Sequence, residues 1–404
     1  MKQAKDRVVV IDYFRGICIL VILLSHSFAF AQPYSYLSGL SRLWVSAAEF
    51  FFLLSGITLG IVRGSDVTKN FKKILQKSWR RAGLIYLIYL ATVAGTILIY
   101  TILPPAKLIS DAGSMPTTTG FSLLGQMLTF RFSMGLANFL MYYSIYMLVA
   151  PFILYAVYHW RRSWLPILLV STAIFVSSTT YPFHLLAFSS YTGFAIWQLY
   201  FVMGIILARF RVSIISRFYG LSERAKNLTY KSLTLLAAAA LCLSVMLGFN
   251  FYSPLSNISS SAATVYLKFD SSTQWLQMLF SNGRTGILRP AATLLFMVAT
   301  YLVYQKHKAA ILRRSGNFVT LMGRNTLWIF VAQALLIPLI AALPAAGNNI
   351  FINTSLLITL YGCMWLIAKR WHLLAGIKAY FNTINQAFYE TKYATIYRRQ
   401  DADY

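Results

Sequence analysis

The stretch VVIDYFRGICILVILLSHSFAFA, residues 9–31, decides the fold of this chain. It is a long and mostly apolar run close to the N-terminus, and a bilayer core of about 30 Å needs about 20 such residues in a helix. No small-residue cleavage site follows the run, so it does not have the form of a removable signal peptide. We therefore predict a permanent transmembrane helix.

The composition of the whole chain agrees with a membrane protein. Of 404 residues, 58% are hydrophobic and 11% are charged, and the mean hydropathy is +0.61. A soluble domain of this size could not bury so much apolar surface. Cys18, Cys242 and Cys363 each lie inside an apolar run, so a disulfide scaffold and a cysteine metal site are also excluded.

Ten stretches of the chain have about the length and hydropathy of a membrane span. The fourth contains Pro151 and the short fifth contains Pro166, which makes these two the least regular. We predict an all-α, polytopic membrane protein with one domain over residues 1–404 and a cytoplasmic tail from about residue 370. The spans lie near 9–31, 43–62, 82–103, 137–158, 164–180, 190–208, 232–250, 285–304, 319–341 and 352–368.

The basic residues predict the orientation of these spans. The chain has 36 Lys and Arg against 10 Asp and Glu, a net charge of +26. Most of the basic residues fall on the side of the membrane that holds the N-terminus, which predicts that both termini are cytoplasmic. The charge is then explained by topology and by attraction to the bilayer surface, so we expect no nucleic-acid partner.

Ionisable residues inside the spans are the first candidates for function, because charges at membrane depth are costly. Asp12 and Glu49 are the two acidic residues within spans, and Arg15 and His26 share the first span with Asp12. Arg15 and His26 are eleven residues apart, so they point to one face of a helix and lie about 16 Å apart along its axis.

Glu49 enters the second span at a depth similar to that of His26, so its carboxylate is placed to orient the imidazole as a general base. Structural alternatives remain open at this point. His26 could be an interfacial histidine, and Glu49 could be a buried packing residue. Asp12 and Arg15 are three residues apart and could neutralise each other.

The spacing of Arg15 and His26, in DYFRGICILVILLSH, resembles the R-X10-H signature of the acyltransferase-3 membrane acyltransferases. The following stretch, SAAEFFFLLSGITLGIVRG, narrows the resemblance to the OpgC-like branch, named for succinylation of osmoregulated periplasmic glucans. Two later segments agree, GFAIWQLYFVMGIILAR from Gly193 and LMGRNTLWIFVAQ from Leu321. An acidic residue expected before the fourth span is absent, and Tyr142 and Tyr143 stand there.

The resemblance implies an acyl-CoA-dependent O-acyltransferase of the bacterial inner membrane. It would move a succinyl or acetyl group from cytoplasmic acyl-CoA to a hydroxyl of a periplasmic or extracellular glycan. His26 would act as the base, with Glu49 beside it, and a covalent acyl-histidine is a less favoured variant. Arg15, Arg80, Arg81 and Arg324 are candidates for the CoA phosphates on the cytoplasmic side.

Further polar residues in the matching segments are candidates of a second tier. A tetrahedral intermediate requires hydrogen-bond donors, and the candidates are Trp197, Gln198, Asn325 and Gln333. Trp197 also fits ordinary aromatic packing, and Ser55 and Gly56 fit close helix packing better than catalysis. The other histidines have no second ligand at metal spacing, so we expect no metal.

Two other classes of function compete with the enzyme. In a transporter or flippase for a glycan or lipid-linked sugar, Arg15, His26 and Glu49 would line a path for substrate or protons. In a membrane scaffold these charges would have no role. We find no internal repeat, which counts mildly against a transporter. The long loops near 104–136 and 251–284 are expected to cover the acceptor site.

Overall fold

The computed structural model describes most of the chain in twelve stretches. They are residues 2–27, 30–31, 33–39, 42–103, 119–132, 134–160, 162–180, 191–249, 273–280, 286–343, 346–347 and 349–370. These residues form helices joined by turns and bends, and no strand occurs within these stretches. The prediction of an all-α fold is confirmed. The predicted cytoplasmic tail and most of the loop near 251–284 lie outside the described residues.

Thirteen helices can be numbered along the described stretches, besides two short 3₁₀ helices at Tyr34–Ser38 and Gly135–Ala137. They are α1 Lys2–His26, α2 Ala47–Val67, α3 Phe71–Ile102, α4 Gly120–Leu128, α5 Asn138–His159, α6 Trp164–Thr180, α7 Tyr191–Tyr219, α8 Glu223–Gly248, α9 (273–280), α10 Arg289–Ile311, α11 Asn317–Arg324, α12 Thr326–Ala341 and α13 Ile350–Arg370. A short π-helical turn, Leu312–Gly316, joins α10 to α11.

Within the described part, seven helices are long and apolar enough to cross a bilayer, and a bent pair makes an eighth. The bent pair consists of Arg289–Arg324 followed by α12, with an angle of 81° between them. The predicted fifth span is the shorter helix α6. The protein is therefore a multi-pass membrane protein, while the number of ten spans and the orientation stay predictions.

Small residues allow α2 and α7 to pack closely. A Cβ atom on Gly56 would collide with the backbone oxygen of Phe201, and one on Gly204 would collide with the backbone oxygen of Leu53. Glycine lets membrane helices approach until their backbones touch. The predicted packing role of Gly56 is confirmed.

Glycine also allows α1 and α11 to pack closely. A Cβ on Gly16 would collide with the backbone oxygen of Val319, and one on Gly323 would collide with the backbone oxygen of Asp12. Because a higher residue number on α1 contacts a lower residue number on α11, the two helices run antiparallel. Arg324, at the end of α11, is thereby brought to the level of Asp12.

Helix α13 also runs antiparallel to α1 and provides a scale of depth. The Tyr34 hydroxyl, beyond the end of α1, lies 3.0 Å from the Thr354 hydroxyl, and the Tyr361 hydroxyl donates to the carbonyl of Leu20 at 2.8 Å. We call the end of the bundle that holds Asp12 the inner end and the end that holds Tyr34 the outer end. The predicted topology makes the inner end cytoplasmic.

Candidate functional site

Arg15 lies in the inner half of α1 with its guanidinium over an aromatic ring. Its Cζ atom is 5.2 Å from the centre of the Phe51 ring of α2, a distance typical of a cation–π contact. Nε of Arg15 is buried and has no hydrogen-bond partner among the described residues. The Nε–H donor of this cation is therefore not used within the described part of the protein.

His26 is the last residue of α1, near its outer end. Its Nδ1 atom is buried and has no hydrogen-bond partner in the described stretches. An unpaired buried ring nitrogen is costly unless another molecule supplies a partner. Nδ1 is therefore available to a hydrogen-bond partner from outside the described residues.

Glu49 is paired with Arg289 and not, as the sequence suggested, with His26. It is 1% exposed, and its carboxylate forms an ion pair with Nε of Arg289 from α10. The same carboxylate accepts hydrogen bonds from the Thr293 hydroxyl and the Ser46 backbone N–H, both at 3.0 Å. The structure thus corrects the predicted pairing, because Glu49 caps α2 and binds α10.

Arg289 was missed as a site residue in the sequence. It is 2% exposed, and its Nη1 atom donates to the carbonyls of Leu43 and Phe280, both at 2.9 Å. It therefore joins α10, the segment before α2, and α9. We call Ser46, Glu49, Arg289 and Thr293 the outer clasp. One indication in the sequence that Arg289 belongs to the site was that a buried Glu49 needs a cation as its counter-ion.

Asp12 is paired with Arg324 and not with Arg15. Nε of Arg324 lies 3.2 Å from Oδ2 of Asp12, so Arg324 is the contacting partner of Asp12, while Arg15 acts on the carboxylate only through its charge. The Arg324 side chain is still 59% exposed. It lines a cavity of about 350 Å³ at the inner end, together with Asn317 and Thr320 of α11.

Arg80 and Arg81 lie on the surface of α3 and are both exposed. Near them, Nη1 of Arg63 donates to the Ser78 hydroxyl and joins the end of α2 to α3. Because α3 follows α2 after a turn of three residues, this basic surface lies where α2 ends and α3 begins.

Trp197 is part of an aromatic cluster in the bundle interior. Its ring stacks on Phe52 at 5.2 Å between centroids, and it meets the Tyr142 ring edge-on at 5.4 Å. Phe139 lies between Phe52 and the Phe330 ring of α12, at 4.5 Å from each. These contacts show aromatic packing at Trp197, and they give Tyr142 a place in the same cluster.

Gln198 and Asn325 both use their amide groups within the protein. Gln198 accepts from the Ser171 hydroxyl and donates to the Ser171 carbonyl, both at 2.7 Å. Asn325 stands at the break between α11 and α12, and its Nδ2 donates to the carbonyls of Leu321 at 2.9 Å and Ala368 at 3.4 Å. Both amides are therefore already engaged by partners within the protein.

Gln333 of α12 differs from both. It is 0% exposed, yet neither Oε1 nor Nε2 has a hydrogen-bond partner within the described part of the chain. We call Arg15, His26 and Gln333 the unpaired set. The set consists of a cation, an imidazole and a carboxamide, each of which has a polar atom that a ligand could pair.

Comparison with known proteins assigns the chain to a family. No curated protein and no solved structure matches it. The OpgC protein family matches residues 7–374, which include every helix described above except the first five residues of α1. The protein therefore belongs to the OpgC family.

Proposed function

We propose that the protein is an O-acyltransferase that moves an acyl group from cytoplasmic acyl-CoA to a hydroxyl of a glycan on the outer side of the membrane. Membership of the OpgC family supports a membrane acyltransferase that acts on glucans in general. The observation that carries the finer proposal is the pair Arg15 and His26 on α1, each with a buried nitrogen that lacks a partner among the described residues.

The spacing of this pair suits a donor that enters from the inner end. Arg15 and His26 are about 16 Å apart along α1, the order of length of an extended pantetheine arm. A donor that passes its pantetheine arm along α1 from the level of Arg15 would thus carry its thioester to the level of His26. The aromatic cluster beside Arg15 would exclude water from the path, which protects a thioester from hydrolysis.

His26 acts as the general base in this proposal. It removes the proton from the acceptor hydroxyl as the hydroxyl oxygen attacks the thioester carbonyl carbon. A C–O bond forms and the C–S bond breaks, and the proton held by His26 passes to the leaving sulfur. The products are the acylated glycan and free CoA thiol.

The CoA phosphates are assigned to the basic residues of the inner end. Arg324 is the strongest candidate, because it is exposed and lines a cavity with Asn317 and Thr320. Arg80 and Arg81 supply further positive charge on α3. Guanidinium groups bind phosphate through paired hydrogen bonds, and a phosphate would compete with Asp12 for Arg324.

Glu49 has a structural part in this proposal. Its carboxylate is fully engaged in the outer clasp, where it fixes the start of α2 against α10. The acceptor is expected on the outer side of the bacterial inner membrane, and the transferred group is succinyl or acetyl.

Thiol release by the purified protein tests the proposal. Succinyl-CoA and acetyl-CoA are each offered in detergent, with and without a periplasmic glucan fraction. We expect acceptor-stimulated release of free thiol and acyl ester on the glucan, and the faster thioester identifies the donor. A protein that binds the glucan and releases no thiol from either donor would refute the transferase and support a transporter or flippase.

A further inference from the structure

The chain holds two buried glutamines in opposite states. Gln198 has both ends of its carboxamide paired with Ser171, whereas Gln333 has neither end paired with a described residue. Burying an amide without hydrogen bonds costs roughly 1–3 kcal/mol by mutational measures. Gln333 therefore offers one donor group and one acceptor group that a ligand could pair.

Gln333 lies close to the proposed path of the donor. Phe330, one turn earlier on α12, stacks on Phe139 at 4.5 Å. Phe139 in turn contacts the Phe51 ring at 5.1 Å, and Phe51 carries the Arg15 guanidinium. Helix α12 packs against both α1 and α3. An unbroken line of contacts therefore connects the turn that holds Gln333 to Arg15.

Helix α12 starts at the end of the bundle where the donor would enter. The break before it is at the inner end, because Asn325 follows Arg324, which pairs with Asp12. Gln333 is eight residues beyond the break, or about 12 Å along α12, a helix that is bent by 81° from the one before it. A group that extends from phosphates at the inner end toward the outer end would meet the helix that carries Gln333.

We propose that the Gln333 carboxamide binds a secondary amide of the pantetheine arm of the donor, an inference that rests on the proposed function. Oε1 accepts the N–H of that amide, and Nε2 donates to its carbonyl oxygen. A carboxamide is suited to this ligand because both groups present one donor and one acceptor in a plane. Gln333 would thus position the arm, while the phosphates are held at the surface and the thioester reaches His26.

Inhibitors that represent the two halves of coenzyme A distinguish binding of the pantetheine arm by Gln333 from a general effect on the site. S-methylpantetheine contains the amides and no phosphate, whereas adenosine 3′,5′-bisphosphate contains phosphates and no amide. Both are used as inhibitors of thiol release from acyl-CoA by the wild type, Gln333→Leu and Gln333→Met. Gln198→Leu is the matched control, because it removes a buried glutamine that is paired inside the protein.

We expect the inhibition constant of S-methylpantetheine to rise about tenfold or more in both Gln333 variants, the loss of roughly 1.4 kcal/mol or more in hydrogen bonds. The inhibition constant of the bisphosphate stays unchanged, and so do both constants in Gln198→Leu. In the Gln333 variants the KM for acyl-CoA rises together with the inhibition constant of S-methylpantetheine. The thermal midpoint of these variants does not fall.

Three results would overturn the inference. They are an equal change for both inhibitors, no change for either, and a wild type that S-methylpantetheine does not inhibit. A fall in thermal midpoint in both Gln333 variants as large as that in Gln198→Leu would show that the carboxamide is paired within the protein. If the wild type releases no thiol at all, the proposed function itself fails, which is a distinct outcome.

Discussion

The outer clasp and the unpaired set are two groups of polar side chains that differ in how they are paired. In the clasp, both oxygens of Glu49 are engaged, and Arg289 binds the carboxylate and two carbonyls, with its Nη2 atom left without a described partner. In the unpaired set, Nε of Arg15, Nδ1 of His26 and both amide atoms of Gln333 have no described partner. Glu49, Arg289 and Gln333 are buried, whereas Arg15 and His26 are half-buried.

The difference indicates which polar residues stabilise the fold and which are available to a substrate. A buried network whose charges are paired rigidifies the elements that it joins, and here it joins α2, α9 and α10. A buried group without a partner weakens the free protein and would gain a partner from a ligand that binds beside it. This contrast yields four predictions, in falling order of effect.

The largest effect is expected when His26 is removed from the unpaired set. His26→Ala should lower acyl transfer about 10²- to 10⁴-fold, the usual contribution of a general base. The thermal midpoint should not fall, because the ring nitrogen has no described partner to lose. The control is His159→Ala, which removes a histidine that stacks on Tyr155 and should leave transfer unchanged.

Breaking the outer clasp should affect stability rather than chemistry. Glu49→Gln leaves Arg289 buried without its counter-ion, which costs about 3–5 kcal/mol of unfolding free energy. Thermal unfolding in detergent measures the loss. Transfer per folded molecule should remain within a few-fold of the wild type.

The double variant Glu49→Leu, Arg289→Met sharpens this test. Because it removes both charges together, it should recover much of the stability lost in Glu49→Gln. If the double variant loses more unfolding free energy than the two single variants lose together, the clasp is held by something other than the ion pair.

Arg15 is expected to act on the donor. Arg15→Met keeps most of the side-chain volume, and we expect the KM for acyl-CoA to rise about tenfold or more, the loss of one charge-assisted contact. The matched control is Arg42→Met, since Arg42 also lies over a phenylalanine ring, that of Phe249, at 5.6 Å. An equal rise in both variants would contradict a specific role for Arg15.

The smallest effect is expected at Gln198, where the pairing is internal. Gln198→Leu leaves the Ser171 hydroxyl without its acceptor, so it should cost about 1–3 kcal/mol of stability. Transfer per folded molecule should not change. A loss of transfer without a loss of stability would return Gln198 to the candidates for transition-state donors.

Much of the fold could be predicted because apolar length and helical periodicity are local properties of the sequence. The helices α1, α2 and α7 occur where the runs of apolar residues predicted them. Gly56 could be assigned to close packing for the same reason. The break at Asn325 was not predicted, because the predicted span 319–341 was continuous in hydropathy and its interruption depends on hydrogen bonds to Leu321 and Ala368.

The partners of buried charges could not be predicted, because they depend on which helices meet. Glu49 and Arg289 are 240 positions apart in the chain, and Asp12 and Arg324 are 312 apart. Sequence proximity favoured Asp12 with Arg15 and depth favoured Glu49 with His26, yet helix packing produced neither pair. Arg15 and His26 could be proposed together because they share one helix, where spacing alone determines the face.

The most direct test of this account compares His26→Ala and Glu49→Gln in parallel, with acyl transfer to glucan and the thermal midpoint measured on the same preparations. The account predicts a crossed result, in which His26→Ala loses transfer and keeps its midpoint, while Glu49→Gln loses midpoint and keeps transfer per folded molecule. The account would be contradicted by a stable Glu49→Gln protein without transfer, or by a His26→Ala protein with full transfer.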